Sequence, residues 1–87
     1  MDRYLIESPH DPEECTLLVG YVRAQGYLQN FEWGCHFGVH EGWAIVEAEN
    51  AEQASLAVPS VLRSKARVIR VEKYAEGPDP HITRGNA

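Results

Sequence analysis

The chain has 87 residues, a net charge of -5 and two cysteines, so it fits one small domain without a disulfide framework or the dense positive charge that phosphate-backbone binding requires. A domain of this size buries only roughly 60% of the surface its unfolded chain exposes, so a second copy is a natural source of further buried area. No apolar run approaches the ~20 residues that cross a bilayer, and the opening Met-Asp-Arg-Tyr has no signal-peptide pattern, which implies a cytoplasmic protein with free thiols.

Residues 3–8, RYLIES, are an apolar-rich run that suits a strand and is closed by Pro9. Asp11-Pro12-Glu13-Glu14 then places Asp at an N-cap, Pro at N1 and Glu at N3, where its carboxylate can reach back to the cap amide. A helix begins there. Cys15, Leu18, Val19 and Val22 fall at i, i+3, i+4 and i+7, a stripe that faces a sheet, and Leu17 and Tyr21 widen it. Gly20 in mid-helix costs about 1 kcal/mol relative to Ala, which implies another backbone passing close by. Gly26 suits the residue just past the helix end.

Residues 31–39 alternate: Phe31, Trp33, Cys35, Phe37 and Val39 on one face, Glu32, Gly34, His36 and Gly38 on the other. With residues 43–49 they predict a hairpin. A four-residue loop over 39–42, with Gly42 left-handed, avoids a positive φ at Glu41 and sets Trp33, Cys35 and Phe37 beside Ala44, Val46 and Ala48 on the helix-packed face. Trp43, Ile45, Glu47 and His36 then occupy the opposite face. Asn50 caps a second helix with Gln53 at N3 and Ala54, Ala57, Val58, Val61 and Leu62 at helical spacing. Pro59 makes that helix kink or restart. Residues 67–74, RVIRVEKY, are the last strand, and residues 75–87, with Gly, two Pro and few apolar residues, form a flexible tail. Arg63, Lys65, Arg67 and Arg70 make a modest basic stretch that reads as solvated surface.

Strand, helix, strand, strand, helix, strand over residues 1–74 predicts an α+β, ferredoxin-like β-α-β-β-α-β domain, a four-stranded antiparallel sheet with two helices on one face. The other face carries Trp43 and Ile45, and exposed apolar area of that kind marks a homodimer interface. The segments YLIE, DPEE, GWAIVEAEN and VPSVLRSKARVIRVEKY resemble the small microbial proteins of the dimeric α+β barrel group. That group includes muconolactone-isomerase-like enzymes, antibiotic-biosynthesis-type monooxygenases, a nickel-binding branch and uncharacterised members. The resemblance implies a dimeric barrel and assigns no site residue or cofactor.

Three constellations are candidates for chemistry. His10 and His40 fall where the end of strand 1 and the hairpin loop share a sheet edge, with His36 as a third ligand, and imidazoles there suit a divalent metal, nickel or zinc. His36, Trp43, Glu47 and Arg70 form a ligand pocket on the dimer-facing side, if Ile69 and Val71 face the helices. Cys35 points away from His36 as a strand neighbour and reads, like Cys15, as an un-ionised core residue. The leading expectation is therefore a small dimer that binds a metal ion or small ligand. An isomerase or monooxygenase acting on a small aromatic substrate comes second, and a structural or regulatory dimer third.

Overall fold

The computed structural model describes residues 1–74; the tail expected over 75–87, with His81, lies outside the described residues. β1 (Asp2–Pro9) leads through a 3₁₀ turn (Pro12–Glu14) into α1 (Cys15–Ala24). The Asp11 amide donates to Glu14 Oε1 at 2.8 Å, the reach-back that the DPEE segment predicts. Leu18 and Val22 from the apolar stripe are fully buried. Gly26, with φ +84°, follows the helix as expected.

The sheet continues with β2 (Phe31–Trp33), β3 (Glu41–Ala48) and β4 (Arg67–Val71) in the order β2-β3-β1-β4, every neighbouring pair antiparallel. Alternate residues of the two central strands go inward: Tyr4, Ile6 and Ser8 of β1, and Ala44, Val46 and Ala48 of β3. They pack against Leu18 and Val22 of α1 and against Ala54, Ala57, Val58 and Leu62. This four-stranded antiparallel α+β arrangement fits a ferredoxin-like fold. The second helical stretch is broken in two. Asn50 caps α2 (Ala51–Ser55) by accepting from the Gln53 amide at 2.8 Å, and the chain restarts as α3 (Ser60–Arg63) with Pro59 at its N-cap. Arg63 donates to the Val58 carbonyl at 2.7 Å and the Ser55 carbonyl at 3.2 Å, satisfying the end of the first piece.

The strand expected over 31–39 is not continuous. β2 ends at Trp33, and Cys35–Phe37 form a 3₁₀ turn followed by Gly38 at φ +88°. The left-handed glycine of the connection is therefore Gly38, and Gly42 lies inside β3, opposite Trp33. Gly34 permits the break, since a Cβ there would meet the Val39 carbonyl oxygen at 2.8 Å. Phe37, expected against the helices, is 86% exposed.

The glycines at 20 and 42 have opposite environments. A Cβ on Gly20 meets nothing within 4 Å among the described residues, so none of them supplies the close backbone expected beside it, whereas a Cβ on Gly42 would stand 2.8 Å from the Trp33 indole. Gly20→Ala should raise stability by roughly 0.5–1 kcal/mol. Gly42→Ala should lower it by roughly 1–3 kcal/mol, because the Phe31–Trp33 stack must shift. Chemical denaturation of the two variants measures both signs.

Candidate metal centre

Two backbone features bring His10 and His40 together. The β1–β3 ladder ends with Pro9 opposite Glu41, and one step beyond it the His10 amide donates to the His40 carbonyl at 3.1 Å. The rings stand 6.2 Å apart, nearly perpendicular, as the topology of strand 1 and the central connection predicts. His10 also lies edge-on to Trp33 with centroids at 6.4 Å, and only 5% of its surface is exposed.

The third member of the cluster is Cys35. Its Sγ lies 3.2 Å from His10 Nε2, and one ligand atom from each of His10, Cys35 and His40 falls within 4.8 Å of the other two. His36, the expected third ligand, is exposed and stands outside that cluster. Strand alternation had turned Cys35 into the core. Ending the strand at Trp33 and coiling 35–37 into a 3₁₀ turn instead brings the thiol to the histidines.

The hydrogen-bond directions fit a ligand role. His10 Nδ1 lies 3.4 Å from the Ser8 carbonyl, which can only accept; in the tautomer that donates there, Nε2 presents its lone pair to Cys35. A ring held through its other nitrogen by a backbone carbonyl is the usual support of a metal-ligating histidine. The buried Nδ1 of His40 has no hydrogen-bond partner among the described residues. Buried imidazole nitrogens seldom go unpaired, and a bound ion is one physical explanation for such an atom.

Cys15, the first residue of α1, donates toward Cys35 Sγ at 3.6 Å. Burial and this neighbouring thiol push the Cys35 thiol above its ordinary range. Neither cysteine belongs to the core as expected: both are half-buried and line an open depression of about 410 Å³ with Val19, Arg23, Phe31 and Trp33. Since the thiolate is the nucleophile, alkylation of Cys35 at pH 7 should be slower than that of a free thiol and should accelerate as pH rises beyond the ordinary thiol range. Iodoacetamide labelling followed by mass spectrometry reads the rate; labelling at the rate of free cysteine would contradict the raised thiol.

The residues expected to form a ligand pocket are spread apart. Trp43 and Glu47 lie on the face of β3 away from the helices, and His36 is on the 3₁₀ turn. Arg70 stands opposite Tyr4 on the helix side of the sheet and bonds Asp2 at 3.1 Å. The expectation that Ile69 and Val71 face the helices is reversed, because the register pairs Ile69 with Leu5 and Val71 with Arg3. The basic stretch is engaged within the chain: Lys65 lies 3.4 Å from Glu14, Arg67 lies 3.2 Å from Glu7, and Arg63 donates to the Val58 carbonyl between α2 and α3. Among the described residues no helix is long and apolar enough to cross a membrane.

No protein-family model matches the sequence, and neither a curated protein nor a solved structure matches the chain. The likeness to muconolactone-isomerase-like and nickel-binding proteins thus gains no relative to support it, and the reading of function rests on the site.

Proposed function

We propose that this protein is a small homodimer that binds a borderline-soft divalent transition ion, zinc before nickel, through His10, Cys35 and His40. The observation that carries the reading is the cluster itself, with one histidine nitrogen beside a thiol and a buried nitrogen of the other without a hydrogen-bond partner among the described residues. Imidazole and thiolate together suit zinc better than magnesium or calcium, which take oxygen ligands. At zinc–ligand distances of about 2.0–2.3 Å, a tetrahedral ion holds its nitrogen and sulfur ligands roughly 3.5 Å apart. The 3.2 Å between His10 Nε2 and Cys35 Sγ lies near that separation. Three protein ligands leave one position for water or a small molecule entering by the adjoining depression.

Dimerisation is supported by the open sheet face. Leu5, Trp43, Ile45, Ile69 and Val71 share it, all only half-buried in the single chain. The reversed register of β4 adds two apolar side chains to the Trp43 and Ile45 on which the expectation rested, and an exposed apolar patch of this kind, bordered by Arg3, Glu7, Glu32, Glu47 and Arg67, favours a partner.

Calorimetric titration of tag-free, metal-stripped protein with zinc tests the metal reading. One saturable site per chain is expected, with affinity falling as pH falls because protons compete for the ligands. Cys35 retains its proton at neutral pH, so binding should release it, and the measured enthalpy should depend on the ionisation heat of the buffer. Absence of saturable binding at millimolar zinc would dismiss the metal reading.

A further inference from the structure

We propose that Cys15 and Cys35 form a thiol–disulfide pair whose closure withdraws Cys35 from His10 and His40, so that oxidation of the metal-free chain by a peroxide closes the site to metal. The metal-exclusion half of this proposal rests on the reading of the site given above; the cysteine pair stands on its own geometry. The two sulfurs are 3.6 Å apart, although 20 residues separate them in the chain. A disulfide needs about 2.05 Å between sulfurs, so closure requires an approach of roughly 1.5 Å. One sulfur is carried by the first residue of α1 and the other by the first residue of the 3₁₀ turn. That turn is a segment of the β2–β3 connection, outside the sheet ladder, with Phe37 and Val39 beside it exposed. Both thiols border the open depression, so a small oxidant reaches them without unfolding.

Cys35 is the shared member of the two arrangements. Its sulfur lies against His10 Nε2 on one side and Cys15 Sγ on the other. A sulfur bonded to a second sulfur has no thiolate charge with which to hold a cation, so the two states exclude one another. In the metal-free chain the fraction of Cys35 present as thiolate attacks one oxygen of hydrogen peroxide. The O–O bond breaks, Cys35 becomes a sulfenic acid, and hydroxide leaves and is protonated to water. Cys15, as thiolate, then attacks the Cys35 sulfur, forming the S–S bond and expelling the sulfenic oxygen as a second water. Two thiols lose two electrons and two protons, and one peroxide is reduced to two waters. A dithiol reductant reverses the change.

The test uses the full chain, metal-stripped or zinc-loaded, treated with hydrogen peroxide, alkylated in denaturant and weighed intact. The metal-free protein should lose both thiols to an intrachain disulfide, fail to bind zinc in titration, and regain binding after dithiothreitol. The zinc-loaded protein should keep both thiols at the same dose. Cys15→Ser should bind zinc when reduced, yet form no intrachain disulfide. Persistence of both thiols in the metal-free chain, cross-linking between chains instead of within them, or unchanged zinc affinity after oxidation each overturns the proposal. A reduced chain that closes the disulfide but takes up no zinc upholds the cysteine pair and overturns the metal reading instead.

Discussion

Zinc at a hundredfold excess over its dissociation constant should stabilise the folded chain by about 2.7 kcal/mol, because only the folded state presents the three ligands together. In a domain of this size each kcal/mol moves the melting temperature by roughly 4–8 °C, so an upward shift of roughly 10–20 °C is expected. Cys35→Ser should abolish the shift while leaving the metal-free melting temperature nearly unchanged, since the half-buried thiol is replaced by a group of similar size. His10→Ala combined with His40→Ala should abolish it too. His36→Ala should retain it in full, because that side chain is exposed and outside the cluster. This contrast separates the two ligand sets: a shift lost on replacing His36 and kept on replacing Cys35 would favour the strand-based arrangement and refute the one built on the 3₁₀ turn. Differential scanning fluorimetry with and without zinc is sufficient to read it.

The difference between those ligand sets shows which parts of the site were legible from sequence. His10 and His40 were accessible because topology alone places the exit of β1 and the β2–β3 connection at one sheet edge, and the ladder then joins their backbones. Cys35 was not, because regular alternation from Phe31 to Val39 describes a strand, and a strand turns Cys35 to the core. The contrary signal was present in Gly34 and Gly38, two glycines four apart inside an apparent strand, where a break or bulge is common. Alternation records which residues are apolar; it does not record that a side chain at 34 would collide with the Val39 carbonyl.

Helix boundaries were more legible, since they depend on neighbours in sequence. DPEE, Asn50 with Gln53, Gly26 and Pro59 all act where local chemistry places them. The face of β4 was not, because RVIRV alternates equally well with Ile69 and Val71 inward or outward. Only pairing with β1 decides, and Leu5 opposite Ile69 directs both away from the helices. Val68 instead packs against the core.

That register makes the dimer proposal sharper. If two copies meet through the open face about a twofold axis, every substitution on it acts twice. Burying an unpaired ammonium near the centre of an interface costs at least about 2 kcal/mol per copy, so Ile45→Lys should weaken association by roughly a thousandfold. Light scattering at tens of micromolar should give a dimer for the unmutated chain and a monomer for this variant, with far-ultraviolet circular dichroism unchanged, since Ile45 is outside the core cluster. Ile69→Lys should act the same way, because it lies across Leu5 on the same face. Arg70→Ala should leave the dimer intact, as Arg70 lies on the helix side and pairs with Asp2. Zinc should still raise the melting temperature of the Ile45→Lys monomer, because His10, Cys35 and His40 all come from one chain. A monomeric unmutated protein at these concentrations dismisses the dimer, while loss of the zinc response in the Ile45→Lys monomer would mean that the partner copy completes or supports the metal site.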